Sequence, residues 1–187
     1  MRGARTWRAP WRAGALLLGL IVLIVLAGLP RLSEPLGRDQ GIFAYAGSQI
    51  LRGKVMHRDV WDHKPAGTHL VYALGLALFG HTSRAVRLID LLWCVASAGA
   101  LYLVARQAFG PTAGAWAALI YGLAYQITFN WWDRAQTDGL MVLPLALAIY
   151  ATLRAEERRS AGLYGIAGIC CGLAFWFKPT AAWVALD

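Results

Sequence analysis

The chain has 187 residues, of which 58% are apolar and only 15% charged. A water-soluble domain of this size has too small an interior for that balance, so the chain belongs in a bilayer. The net charge of +8 comes from 18 Lys and Arg against 10 Asp and Glu. Those basic residues sit between apolar runs and carry no soluble module with a basic stripe, which excludes nucleic acid as a partner.

Met1 to Arg12 carries four Arg and leads into an apolar run, Ala13–Pro30. The run is longer than a secretory h-region, and Val25-Leu26-Ala27 is a poor cleavage site. It is therefore expected to be a retained first helix with its basic end in the cytoplasm. Further spans are expected at Leu88–Ala105, Ala113–Phe129, Gly139–Leu153 and Leu163–Phe177, the last reaching past Pro179 toward Leu186. Each is near the length that crosses a hydrocarbon core of about 30 Å. Gly67–Phe79 is too short and should lie on the surface or dip into it. The fold class is an all-α, polytopic transmembrane helical bundle of about five spanning helices, with short juxtamembrane surface helices in the first outer loop.

That loop, residues 31–87, is the one densely polar stretch. Gln40–Leu51 places Ile42, Phe43, Ala46 and Ile50 on one helical face with Asp39 at the N-cap, which predicts a helix lying along the membrane. Gly53 ends it and Pro65 restarts the chain. If Gly67–Phe79 does not cross, Arg106 and the Arg154–Arg159 turn join the N-terminus inside. Pro30–Arg87, the Asn130–Asp138 turn and Lys178 then share the outer face, gathering Asp39, Lys64, Asp133 and Asp138.

Asp39 opens a helix directly after a span, where a partly desolvated carboxylate can take a proton from a hydroxyl; the plainer alternative is an N-cap alone. Lys64, directed by Pro65, can neutralise a phosphate at the interface or simply anchor the short helix. Asp138 opens the fourth span, as a helix cap or as a second acid facing Asp39. Arg84 and Arg87 share one face, with Asp90 three residues beyond Arg87. Arg87 and Asp90 are expected to pair, leaving Arg84 for a phosphate. Trp131 and Trp132 read as interfacial belt aromatics. His57, Asp59, Asp62 and His63 match no standard ligand spacing, so no metal site is assigned and a divalent ion is left open. Cys94, Cys170 and Cys171 lie in apolar runs as packing residues.

Arg38-Asp39-Gln40-Gly41-Ile42-Phe43-Ala44-Tyr45, followed by His57 to Pro65, resembles the polytopic GT-C glycosyltransferases. The nearest groups are the dolichyl-phosphate mannosyltransferase, aminoarabinose transferase and RgtA/B/C/D-like branch. Arg87-Leu88, Ala105-Arg106 with Phe109-Gly110, Thr137-Asp138, and Gly172-Leu173-Ala174 leading to Lys178-Pro179-Thr180 continue the resemblance. Gln40 stands where many relatives have Glu, and Ala66 where a second Pro is usual.

The resemblance implies transfer of a hexosyl or pentosyl sugar from a polyprenyl-phosphate-linked donor to a lipid, glycan or protein acceptor on the outer face, with inversion. It implies Asp39 and Asp138 as catalytic acids and Lys64 at the donor phosphate. Arg84 joins Lys64 there, and Arg58, Asp59, Asp62 and His63 support the loop. No cofactor is expected. Residues 1–187 form the N-terminal part of one such domain, comprising a cytoplasmic basic stub (1–12), the outer catalytic loop (31–87) and the spans, with the remainder expected beyond residue 187. The expected location is the inner membrane of a bacterium, N-terminus in the cytoplasm. Competing classes are a non-catalytic remnant that binds a lipid head group or partner, and a transporter, which would need polar residues mid-helix and broken helices.

Overall fold

The computed structural model describes residues 10–183, with side chains from Gly14 onward. The basic stub and Val184–Leu186 therefore lie outside the described side chains. Seven α-helices follow in order: α1 (Pro10–Gly28), α2 (Arg38–Leu51), α3 (Ala66–Phe79), α4 (Ser83–Phe109), α5 (Pro111–Ile127), α6 (Thr137–Arg158) and α7 (Ala161–Phe177). Short 3-10 turns follow α1 and α7, and the described residues hold no strand. The chain is an all-α bundle of membrane type.

Local chemistry sets the helix ends. The Thr82 hydroxyl accepts the Ala85 N–H at 3.2 Å and caps α4. At the far end Gly110 adopts φ 97°, open to glycine, and Pro111 starts α5 at once. The α6 helix carries Asp138 in its first turn and Arg158 in its last, matching its dipole.

The stretch Gly14–Ser33 and the helices α4 and α6 are long and apolar enough to cross a membrane. At 1.5 Å per residue α4 spans about 40 Å and α6 about 33 Å, whereas α5 and α7 reach only about 26 Å. Those two pack along a long neighbour, α5 on α4 and α7 on α6, each joined to it by a tight link, at Gly110 and at Arg159-Ser160. The α3 helix, about 21 Å long, is too short to cross. It packs between α2, α4 and α7, and turns Leu70, Leu74, Leu78 and Phe79 outward in an exposed row.

Lipid is as apolar as a leucine side chain, so helices in a bilayer associate through close packing of small residues. The buried faces follow that rule, with Gly114, Ala118 and Gly122 on α5 and Ala146, Ala148, Ala151 and Ala155 on α6. One apolar cluster joins α1, α4 and α5 around Ile24, Ala98, Tyr102 and Ala118. A second joins α2, α3 and α4 around Phe43, Tyr72 and Val86. A third unites α3, α4, α6 and α7 through Val71, Ile89, Leu140 and Phe177. At Gly47 any Cβ would lie 2.9 Å from the Ala73 nitrogen, so α2 lies backbone to backbone on α3.

The two ends of the bundle differ. Gln107 donates to Glu157 at one end, the end at which α1 also begins. At the other end meet the segment after α1, the α2–α3 hairpin, the Thr128–Gln136 turn and Lys178.

Three local expectations are corrected. The N-cap of α2 is Gly37, and Asp39 sits two residues into the helix, because the Gln40 side-chain oxygen takes the Gly37 N–H at 2.7 Å and closes the helix start earlier. Ile42 is not on the buried face but 45% exposed, the inner positions being Gln40, Phe43, Ala46 and Gly47. Arg87 and Asp90 form no ion pair among the described residues. Arg87 is drawn to backbone carbonyls, while the Tyr125 hydroxyl donates to Asp90 at 2.6 Å.

Candidate functional site

In the first turn of α2, Asp39 projects from the positive end of the helix dipole and keeps 39% of its side chain exposed. Lys64, 25 residues away in sequence, brings its ammonium to 3.5 Å from the Asp39 carboxylate. The same ammonium lies 4.4 Å from the centroid of the Phe43 ring, a cation–π contact one helical turn beyond Asp39. Arg38 adds a second, exposed cation at 3.6 Å. The pair thus unites the two residues that the sequence singles out most strongly.

An open cleft of about 320 Å³ is lined by Arg38, Asp39, Trp132, Asp133 and Gln136. Two carboxylates, two amide or guanidinium groups and one indole therefore face one space. That combination suits a polyhydroxylated ligand, which offers hydroxyls to acids and amides and C–H faces to an aromatic ring. Asp133 also accepts from the Asn130 side chain at 3.3 Å.

Asp138, expected opposite Asp39, does not line this cleft. Its carboxylate takes the Lys178 ammonium at 2.6 Å, tying the start of α6 to the end of α7. Arg84 is exposed on the first turn of α4 and has no ion pair among the described residues. Arg58 and Asp59 pair with each other at 2.8 Å in the exposed loop, and Asp59 also accepts the Val55 N–H at 2.9 Å. The Arg58 guanidinium and that N–H hold the Asp59 carboxyl below its usual value.

Asp62 is buried and central to the loop. Its carboxylate accepts from His69 Nε2 at 2.9 Å, meets His63 Nδ1 at 3.0 Å, and is turned toward the Lys64 backbone N–H. Burial raises the Asp62 carboxyl, but His69, the Lys64 N–H and His63 together outweigh burial and hold it below the ordinary carboxylate value.

Behind the cleft lies a buried polar network that the sequence does not announce. Gln40, fully buried, donates to the Trp131 carbonyl at 2.9 Å and to the Arg134 carbonyl, and its oxygen receives Arg87 at 3.0 Å. Arg87 also donates to the carbonyls of Pro35 and Trp131. Glu34 pairs with Arg31 at 3.1 Å and with Arg134, whose guanidinium is otherwise directed at the carbonyls of Gln126 and Phe129. Burial, with the nearby positive charge of Arg31, pushes Arg134 down to about 10. This network joins the segment before α2 to the turn that carries Trp132 and Asp133, so the two walls of the cleft are one body. Gly37 packs against Trp132 at the same seam, where a Cβ would stand 3.0 Å from the Trp132 Cβ.

Among the described residues no cluster of three or more His, Cys, Asp or Glu could hold a metal ion. A sequence profile of the dolichyl-phosphate-mannose-protein mannosyltransferase family matches residues 63–187. The match covers Lys64, Arg84 and Asp138 and begins after Asp39. No curated protein and no solved structure matches the chain. With two thirds of its length in that match, on a bundle of apolar helices, the chain is a multi-pass membrane protein of the dolichyl-phosphate-mannose-protein mannosyltransferase family, glycosyltransferases of the GT-C type.

Proposed function

We propose that this protein transfers a hexosyl or pentosyl sugar from a polyprenyl-phosphate donor to a hydroxyl of a lipid, glycan or protein acceptor on the outer face of a bacterial inner membrane. The observation that carries this reading is the Asp39–Lys64 pair at 3.5 Å beside an open polar cleft. Asp39 acts as general base, taking the acceptor proton as the acceptor oxygen bonds to the anomeric carbon. The bond from that carbon to the phosphate oxygen breaks in line, and the Lys64 ammonium stabilises the charge on the departing polyprenyl phosphate. Inversion at the anomeric carbon follows.

Base and cation must flank the sugar during the reaction, so the closed pair is a resting arrangement. The four-carbon stem of Lys64 allows its ammonium to leave Asp39 for the phosphate while the backbone stays in place. Asp133 and Gln136, across the cleft, are the groups nearest to hold sugar or acceptor hydroxyls. Asp138 with Lys178, and Arg84 at the head of α4, flank the site.

The test is Asp39→Asn in the whole protein, assayed in membranes with a radiolabelled polyprenyl-phosphate sugar. A loss of about 10²–10⁴ in rate with unchanged membrane insertion is expected from removal of a general base. Undiminished transfer removes Asp39 from the mechanism.

A further inference from the structure

We propose that His69, buried in the first turn of α3, is the positioning residue that sets Lys64 for the donor phosphate, acting through Asp62 and through Phe43. The inference rests on the proposed role of Lys64 and adds a residue that the reaction scheme does not use.

Two separate routes lead from this one imidazole to the same ammonium. The first runs through hydrogen bonds. His69 Nε2 donates to Asp62 Oδ2 at 2.9 Å, and Asp62 stands two residues before Lys64 on the same loop, its carboxylate turned toward the Lys64 backbone N–H. Pro65 restricts the backbone of Lys64 from the other side. The Lys64 Cα is thus held between an anchored carboxylate and a ring, and only its side chain is left free to move.

The second route is through the rings. His69 meets Phe43 edge-on, with centroids 5.4 Å apart at 88°, and the Phe43 ring carries the Lys64 ammonium at 4.4 Å. Tyr72 contacts Phe43 edge-on as well, at 5.5 Å, and its hydroxyl is fixed on the Ala135 carbonyl at 2.8 Å. The ring under the ammonium is therefore clamped by two aromatic neighbours, one of them His69.

The imidazole is held at a cost. It has no exposed surface, and Nδ1 has no hydrogen-bond partner. An apolar ring at this position would pack without an orphaned nitrogen. What an apolar ring would lose is the tie to Asp62, and with it the anchor of the Lys64 backbone.

The experiment is a double-mutant cycle on the whole protein in nanodiscs. The readouts are binding of a polyprenyl phosphate lacking sugar, and KM and kcat for transfer. His69→Phe keeps the ring and removes the donor. It is expected to weaken polyprenyl phosphate binding by about tenfold and to raise the donor KM equally with kcat little changed. His69→Gln, which keeps a donor, should recover most of the loss. In a Lys64→Gln background, His69→Phe should add nothing, because the group it positions is gone.

A full additional loss in that background would show His69 to be structural only and overturn the proposal. Normal binding by His69→Phe, where Lys64→Gln binds weakly, overturns it while leaving the donor role of Lys64 intact. Normal binding by Lys64→Gln overturns both. Should His69→Phe fail to fold, Asp62→Asn takes its place in the same cycle with the same outcomes.

Discussion

Lys64 rests its ammonium between a carboxylate and a ring face, 3.5 Å from Asp39 and 4.4 Å from the centroid of Phe43. On the proposed reading the carboxylate is exchanged for a phosphate while the ring stays beneath the ammonium. Phe43→Leu keeps an apolar side chain and removes the face, a contact worth about 0.5–1 kcal/mol at a partly exposed site. Affinity for a polyprenyl phosphate should fall roughly two- to fivefold, as measured by titration in nanodiscs. A larger drop would mean that Phe43 also holds α2 on α3, which a melting curve would register.

Gln40 is suited to its place because an amide can donate and accept at once. Its nitrogen serves the carbonyls of Trp131 and Arg134, and its oxygen serves Gly37 and Arg87. Gln40→Glu strengthens the bond to Arg87 but turns an acceptor toward two buried carbonyls. Each unsatisfied group costs about 1–3 kcal/mol, so the variant should melt lower in detergent. A raised melting temperature would show that attraction to Arg87 outweighs both carbonyls.

The hydroxyl of Tyr125 bridges α4 and the turn, donating to Asp90 at 2.6 Å and accepting the Ala135 N–H at 2.9 Å. Ala135 holds φ at 56°, a left-handed conformation that an alanine adopts only under constraint. Tyr125→Phe strips both bonds, with an expected loss of about 1–3 kcal/mol and faster hydrogen exchange at Ala135. Unchanged exchange there would mean that Tyr72, bonded to the Ala135 carbonyl, holds the turn alone.

The depressed Asp62 carboxyl makes a prediction about pH. A carboxyl held lower in the folded protein than its ordinary value of 3.8 contributes its full stability above that value and loses it as pH falls through the lower folded value. The melting difference between wild type and Asp62→Asn should therefore shrink as pH falls below about 4. A difference that persists unchanged down to about pH 2 would assign the titration to another group.

Sidedness is open to labelling. Lys54→Cys, exposed in the loop after α2, is preferred to Gly53, whose φ of 79° disfavours any side chain. It should react with an impermeant maleimide added to intact cells, while Glu156→Cys at the opposite end should react only after lysis. The reverse pattern would invert the orientation of the bundle.

The helices were legible in the sequence because each apolar run is bounded by Gly, Pro or charge, and those boundaries fell within a turn of the observed ones except where a polar first or last turn extends a helix, as at Ser83 and Arg158. Asp39 and Lys64 stand out in the sequence because charge is rare in this chain, and the fold brings them within 3.5 Å of each other. The network behind them was not legible. Gln40, Arg87 and Arg134 find backbone carbonyls as partners, and a carbonyl belongs to every residue and so leaves no mark in a sequence. Asp90 shows the same effect, since three-residue spacing favours Arg87 locally while a tyrosine 35 residues away takes its place. His69 was hidden for a simpler reason: one imidazole in an apolar helix looks like core until its ring is seen beside Asp62.

On the proposed reading, the outward row of Leu70, Leu74, Leu78 and Phe79 meets lipid while the other side of α3 packs on protein, although the helix is too short to cross. It works as a float, and Lys64 stands at its upper end. In that arrangement the ammonium is held at a fixed height relative to the acyl chains. On the proposed reading, a phosphate tethered to a prenyl chain is presented at that height by its own anchor, whereas a phosphate free in water must find it by chance. Selection for a lipid-linked donor then begins with altitude, before any chemistry of the sugar is consulted.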